Sequence, residues 1–183
     1  MTEIRLCSTD QHPIILEIVN AAANAYRGVI PHDCWHEPYM PLSELEAEVA
    51  AGVTFWGYEI EDVLVGVMGI QQVRDVDLIR HAYVRPDSQR RGVGGGLLGH
   101  LRILSTRRML VGTWAAAARA IRFYRRHGFE LVRDEQKAPL LETYWTVPKR
   151  QIEASVVLAN PPLEVADWRM IRPEAQSSKP ASG

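Results

Sequence analysis

Arginine and glycine are concentrated in one stretch of the chain, Gln89–Gly128, which contains nine Arg and no Asp or Glu. The 183-residue chain has a formal net charge of −1, so this basic stretch carries +9 and the remainder carries −10. The stretch opens with Gln89-Arg90-Arg91-Gly92-Val93-Gly94-Gly95-Gly96, directly after an apolar run that ends at Val84-Arg85-Pro86. A strand, a basic glycine loop and a helix start, in that order, predict a polyphosphate site, because free N–H groups and the helix dipole both favour negative charge.

The periodicity of apolar residues predicts the elements that must position this loop. Before the loop we expect the strand Thr2–Leu6, a helix ending near Gly28, a helix opened by a Ser43–Glu46 capping box and stopped by Gly52, the hairpin Thr54–Ile60 with Leu64–Val73, and the strand Asp77–Val84. After it we expect the helix Gly92–Ser105, the strand Met109–Val111, the helix Ala115–His127 closed by Gly128, the strands Phe129–Val132 and Ser155–Leu158, and the helix Lys137–Tyr144 between them. This order is typical of a mixed α/β protein with one sheet.

Bulk composition indicates one globular domain, which we place at residues 1–159, with a partly disordered C-terminal tail at 160–183. Two cysteines, Cys7 and Cys34, are too few for a disulfide framework, and no apolar run is long enough to span a membrane. These features predict a cytoplasmic protein without a membrane partner. The near-neutral total charge argues against a general nucleic-acid binder, so no nucleic-acid partner is expected.

Two motifs in this chain resemble those of a known family. Tyr83-Val84-Arg85-Pro86 followed by Gln89–Gly94 resembles the acetyl-coenzyme A signature of the GNAT N-acetyltransferases. Ala120–Phe129 resembles the same family's A-x-x-F-Y-x-x-x-G-F motif. The resemblance covers about Thr2–Leu158 and implies the GNAT fold, a single mixed, mostly antiparallel sheet flanked by helices. It also implies transfer of an acetyl group from acetyl-coenzyme A, the acyl donor, to a small-molecule or peptide amine. Homodimers are common in this family.

The resemblance further implies roles for individual residues. Backbone groups near Ala82–Val84 would bind the pantetheine arm as an added strand, and the glycine loop would bind the pyrophosphate. Tyr124 would be the general acid that protonates the leaving thiolate, although a Tyr at helical spacing also fits a packing role. The expected cofactor-binding residues are Ala82, Tyr83, Val84, Gln89, Arg90, Arg91, Gly92, Val93, Gly94, Gly95, Ala117, Ala120 and Phe123.

The chain departs from the family pattern at two positions. The family often has Asn seven residues before the Tyr, where this chain has Ala117. Some members carry a Glu base on the preceding strand, which here reads Leu110-Val111-Gly112-Thr113 without an acid. The two departures leave a second hypothesis open, a non-catalytic module that binds or senses coenzyme A.

The glycine run also fits the dinucleotide fingerprint G-x-G-x-x-G at Gly94, Gly96 and Gly99. A dinucleotide site needs an acid about 20 residues further on to hold the ribose. No Asp or Glu occurs between Asp87 and Glu130, so a Rossmann-type site is disfavoured.

The strand Asp77–Val84 contains a candidate base, His81. The alternative is that His81 has only a structural role. Strict alternation would place Leu78, Arg80, Ala82 and Val84 on one face and Asp77, Ile79, His81 and Tyr83 on the other. If Arg80 faces the acceptor, it would favour a carboxylate-bearing acceptor. The alternative role for Arg80 is an ion pair with Asp75 or Asp77.

Four aromatic residues and one acid, before and after this strand, are candidates for the acceptor pocket: Tyr26, Trp35, Glu37 and Tyr39 from the segment 26–39, and Trp114 beside the second motif. The alternative is that the aromatic side chains only pack against the protein and fix the loop in place. His32-x-Cys34-x-His36 has no standard zinc spacing and no evident fourth ligand, so no metal is expected.

Overall fold

The computed structural model describes residues 1–164, which form one seven-stranded sheet in the order β1-β2-β3-β4-β5-β7-β6. The strands are β1 (Thr2–Leu6), β2 (Thr54–Ile60), β3 (Val63–Val73), β4 (Val76–Val84), β5 (Arg108–Trp114), β6 (Glu130–Leu131) and β7 (Ser155–Asn160). Every neighbouring pair is antiparallel except β4 and β5, which are parallel. The predicted mixed, mostly antiparallel sheet is confirmed. Of the predicted tail, residues 165–183 lie outside the described residues.

Six α-helices lie within the described residues: α1 (His12–Ala23), α2 (Leu42–Ala50), α3 (Val93–Leu104), α4 (Ala118–Arg126), α5 (Asp134–Tyr144) and α6 (Lys149–Ala154). One core layer joins α1 and α2 to the sheet around Ile18, Leu45 and Val67. Another joins α3 and α4 to the sheet around Leu97, Leu101 and Phe129. The helices therefore cover the sheet on both sides. None of those in residues 1–164 is long and apolar enough to cross a membrane.

Three local predictions are corrected by the structure. The helix α2 begins at Leu42 with Pro41 as N-cap and without a side-chain cap, so the predicted capping box at Ser43 does not form. The helix α4 begins at Ala118 rather than Ala115, because the Ala115 N–H donates to the Ala154 carbonyl 2.8 Å away and continues the pairing of β5 with β7. The helix α6 was not expected from the sequence.

Candidate functional site: an opening between two parallel strands

The parallel strands β4 and β5 pair over only part of their lengths. The ladder runs from Val76 opposite Arg108 to Ile79 opposite Val111, and then stops. Beyond it, β4 continues along β3 to Val84, while β5 continues along β7 to Trp114. The facing edges of β4 and β5 therefore carry backbone N–H and C=O groups without a ladder partner, which an extended ligand could pair with.

A β-bulge in β4 marks the point where the strands separate. Val67 of β3 pairs with Tyr83 and Gly69 pairs with Arg80, so two residues of β4, His81 and Ala82, lie opposite one residue of β3. His81 takes the left-handed conformation, with φ of 48°. Such bulges re-aim side chains and end pairing, and a strained non-glycine residue of this kind often lies at a functional site.

The bulge overturns the strict alternation expected along this strand. Arg80 and His81 both reach Glu48 of α2, so these neighbours share one face of the sheet. Ala82 and Val84 pack with Ile79 in the core layer of α3. The extra residue shifts the alternation of side chains between the two faces of the sheet by one position. Sequence spacing alone does not reveal this shift.

The glycine loop leads from the end of β4 into the start of α3. Gly92 is the N-cap, has φ of 84° and leaves the helix without a side-chain cap. The first helical bond at this end runs from the Gly96 N–H to the Gly92 carbonyl, at 2.9 Å. The preceding N–H groups, those of Val93, Gly94 and Gly95, belong to the helix positions that have no intrahelical acceptor. The loop is therefore suited to an anion, as the sequence predicts.

Four of the nine arginines of the basic stretch fall into two groups. Arg90 and Arg91 lie in the loop itself and are exposed. Arg102 donates to the carbonyl of His127, and Arg107 donates to the carbonyl of Arg74. The high local charge is thus shared between the anion loop and side chains that fasten backbone segments at the other end of α3.

The second motif places α4 directly against the glycine loop. A Cβ added at Gly94 would lie 3.4 Å from the ring of Phe123, so glycine lets α3 approach this ring. Ala120 packs beside Phe123 at the core layer of α3. Ala117, where the family often has Asn, is the buried N-cap of α4 and packs with Ile30 and Trp114.

Tyr124 is buried, with only 4% of its surface exposed. Its ring meets Phe123 and Phe129 edge-on, with centroids 5.1 and 5.5 Å apart respectively. Burial, with a smaller contribution from Tyr26, raises the pKa of the Tyr124 phenol well above its ordinary value. The phenol is therefore protonated at neutral pH, the state that a general acid requires.

A cavity of about 140 Å³ lies at the opening and is called here the β4–β5 cavity. Its walls come from the segment after α1, from β4 and β5, and from the segment around α5 and α6. They comprise Tyr26, Tyr39, Ile79, Arg80, His81, Tyr83, Gly112, Thr113, Trp114, Leu141, Trp145, Val147, Gln151 and Ser155. The predicted pocket residues Tyr26, Arg80 and Trp114 are among them.

Two other candidates lie outside the cavity wall. Trp35 packs behind Tyr39, with ring centroids 5.5 Å apart. It therefore supports Tyr39 and does not itself line the cavity. Glu37 is exposed and forms an ion pair with Arg27 at 2.6 Å. His32, Cys34 and His36 do not converge: residues 1–164 contain no group of three or more His, Cys, Asp or Glu side chains arranged for a metal.

Arg80 has a partner that the sequence did not suggest. Its Nη2 atom lies 2.6 Å from both carboxylate oxygens of Glu48, and its Nη1 donates to Gln71 Oε1 at 2.8 Å. The predicted alternative partners, Asp75 and Asp77, bond Tyr144 and Ser105 instead. Burial by itself would raise the pKa of Glu48, but His81 and Arg80 outweigh it and hold that pKa below its ordinary value.

Sequence reasoning missed Glu48, Trp145 and Gln151. Glu48 lies on an ordinary amphipathic helix, and Trp145 and Gln151 lie in a segment without a recognisable motif. No local signal could have found them, because only the folding of α2 and of the segment around α6 onto the sheet brings them to β4 and β5.

Comparisons with known proteins agree with this architecture. Residues 51–131 match the family model of the acetyltransferase (GNAT) domain, and both sequence motifs lie inside that range. This segment of the chain is therefore similar to a GNAT acetyltransferase domain. No curated protein matches this sequence at a significant level.

Solved structures share the fold at low sequence identity. The PaiA N-acetyltransferase from Thermoplasma acidophilum, solved with coenzyme A, is 14% identical over 87% of this chain and 98% of its own, with a TM-score of 0.66. The ribosomal-protein-S18-alanine N-acetyltransferase from Escherichia coli is 18% identical over 87% and 92%, with a TM-score of 0.62. A GNAT family acetyltransferase from Elizabethkingia anophelis, with acetyl-coenzyme A bound, is 15% identical over 86% and 96%, with a TM-score of 0.60.

Proposed function

We propose that this protein is an N-acetyltransferase that moves an acetyl group from acetyl-coenzyme A directly to an amine. The observation that carries the proposal is the opening between β4 and β5, which leads to the uncapped start of α3. A long, thin donor with a phosphorylated end matches this combination, because the strand edges suit its amide-bearing arm and the helix start suits its phosphates. Acetyl-coenzyme A complexes among proteins of the same fold support the same donor.

Within this proposal, the donor is held by residues that are close together in the fold. The N–H groups of Val93, Gly94 and Gly95 bind the pyrophosphate, and the exposed side chains of Arg90 and Arg91 pair with phosphate oxygens. The β4 edge at Ala82–Val84 hydrogen-bonds the pantetheine arm. An N–H near Val84 polarises the thioester carbonyl, which stabilises the negative charge that develops on its oxygen.

Two titratable side chains, His81 and Tyr124, accept and donate the protons of the reaction. The amine must be unprotonated to attack the thioester carbon, and His81, on the cavity wall, accepts its proton. As the new amide bond forms and the carbon–sulfur bond breaks, Tyr124 donates its proton to the sulfur. Thr113, which also lines the cavity, or a water supplies the pantetheine hydrogen bond that Ala117 cannot make.

A binding and turnover experiment tests this proposal. Calorimetry should detect acetyl-coenzyme A binding at moderate salt and no binding of NAD, the control nucleotide. Release of free thiol should then depend on added amine. Binding without release across a broad amine panel would favour the alternative, a non-catalytic coenzyme A-binding module, and absence of binding by folded protein would refute both.

A further inference from the structure

The acceptor side of the β4–β5 cavity is built mainly from aromatic rings. Tyr26 and Tyr39 lie with their centroids 6.2 Å apart, and Tyr39 and Tyr83 lie 6.4 Å apart at nearly right angles. Trp114 and Trp145 complete this wall. Gly112 lies against one of them, since a Cβ there would be in ordinary contact with the Trp145 ring at 3.6 Å. Such a wall favours an apolar or aromatic body and attracts an ammonium group to the ring faces.

The hydrogen-bonding groups of this wall are arranged around Tyr39. Trp114 Nε1 donates to the Tyr39 hydroxyl oxygen at 2.9 Å. The Trp114 donor is therefore used within the protein and is not directed at a ligand. Tyr83 also hydrogen-bonds the Tyr39 hydroxyl oxygen. The Tyr26 hydroxyl remains as an oxygen acceptor for the N–H groups of an amine.

The cavity offers no unpaired positive charge to an acceptor. Among the described residues that line it, Arg80 is the only Arg or Lys, and Glu48 and Gln71 already engage its guanidinium. A carboxylate on the acceptor would have to displace Glu48 or be buried without a partner, and either event is costly. The carboxylate-bearing acceptor considered from the sequence is therefore disfavoured.

We propose that the acceptor is a primary amine on an aromatic or apolar body without a carboxylate, of the 2-phenylethylamine type. This inference rests on the proposed acetyltransferase function and names the substrate class of the same site. A cavity of about 140 Å³ suits one aromatic ring, since an apolar cavity of about 150 Å³ holds benzene, and the short amine-bearing side chain extends from the cavity toward the donor. The ring packs among the tyrosines and tryptophans, and the amine faces His81.

The decisive measurement compares kcat/KM for 2-phenylethylamine, phenylalaninamide, phenylalanine and putrescine at saturating acetyl-coenzyme A. Phenylalanine and its amide differ chiefly in the negative charge, so this pair isolates the carboxylate. We expect 2-phenylethylamine and the amide to be acetylated, and phenylalanine to be at least about tenfold worse than its amide, because its charge has no partner. Putrescine should be poor, because none of the described residues that line the cavity is an acid that could pair with its second ammonium.

Two variants sharpen the test. In Glu48→Gln the guanidinium of Arg80 loses its charged partner, so the ratio of kcat/KM for the amide to that for phenylalanine should fall, even if both values decrease. Trp145→Leu should raise KM for 2-phenylethylamine several-fold. Trp56→Leu is the matched control, because Trp56 lies outside the cavity and contacts the His100 ring at a tilt of 55°, with centroids 4.4 Å apart.

Each outcome has a separate meaning. Equal or better transfer to phenylalanine or putrescine, or an unchanged ratio in Glu48→Gln, would overturn the acceptor class and leave the acetyltransferase function standing. Binding of acetyl-coenzyme A with transfer to none of the four amines or to a broader panel would overturn the proposed function itself.

Discussion

Oε2 of Glu48 lies 3.2 Å from Nε2 of His81, joining helix α2 to the bulge in strand β4. Both atoms are buried. The carboxylate favours a proton on the nitrogen that faces it and so leaves Nδ1 to accept one. Phe55 stacks on the other side of the ring at 5.8 Å and restrains its orientation. Glu48 is thus placed to position His81 rather than to touch an acceptor.

Replacing His81 with Gln should lower kcat by about 100-fold at neutral pH, because the amine loses its proton acceptor. The dissociation constant of acetyl-coenzyme A should stay within about twofold of wild type, since binding precedes proton transfer. Steady-state kinetics with calorimetry measures both quantities. The control is His100→Gln, a histidine in contact with Trp56. An unchanged kcat in the His81 variant would eliminate it as the base.

The Glu48 carboxylate should make stability depend on pH. Its folded-state pKa lies below the ordinary value of 4.5, so the folded state stabilises the charged form. The contribution is fully present above about pH 4.5 and is lost as the pH falls through the folded-state pKa. Glu44, which also faces this cluster, has a pKa raised by burial and works in the opposite direction.

Urea unfolding of wild type and Glu48→Gln between pH 7 and 3 measures this dependence. The difference in unfolding free energy between them should shrink as the pH falls below 4.5, because the wild-type carboxylate becomes neutral like the amide. A difference that stays constant over this range would contradict the assigned pKa direction.

Changing Tyr124 to Phe should lower kcat by about 100-fold, while acetyl-coenzyme A binding changes little, because the phenol acts only as the thiolate forms. The ring contacts with Phe123 and Phe129 do not require the hydroxyl, so the variant should fold. Tyr144→Phe is a matched control that removes a 2.9 Å hydrogen bond to Asp75. Equal turnover in wild type and Tyr124→Phe would remove the general-acid assignment.

The glycine loop can be tested with two Gly→Ala substitutions. Gly92→Ala places a Cβ on a residue with φ of 84° and should cost about 1 kcal/mol or move the loop, weakening acetyl-coenzyme A binding. Gly99→Ala, within α3 and with open space around its Cβ, should stabilise the protein by up to about 1 kcal/mol without changing binding. Thermal unfolding and calorimetry separate the two effects, and equal affinity in both variants would refute the loop assignment.

The substitution Gly94→Val tests the approach of α3 to α4. Even a Cβ at this position would lie 3.4 Å from the Phe123 ring, and the added methyl groups would crowd that ring or the donor. Binding of acetyl-coenzyme A should be abolished, measured by calorimetry on protein whose circular dichroism matches wild type. Unchanged affinity would contradict a donor path across this glycine.

The sequence by itself determined the parts of this protein that are local in the chain. The loop Gln89–Gly95 could be predicted because consecutive residues supply both the turn and the helix start that would suit an anion. Tyr124 could be predicted because its motif fixes its position on one turn of α4. The order of strands and helices followed from periodicities of two and 3.6 residues, which each segment carries alone.

Only the tertiary structure decided how β4 and β5 separate and which side chains meet there. The bulge at His81 depends on the pairing of two strands, so alternation along one strand predicted the wrong faces. The contacts of Glu48 with Arg80 and His81, and of Tyr39 with Trp114, join segments far apart in sequence. Such contacts form when helices pack on the sheet to bury their apolar faces, and no local pattern encodes the partner that each polar side chain then meets.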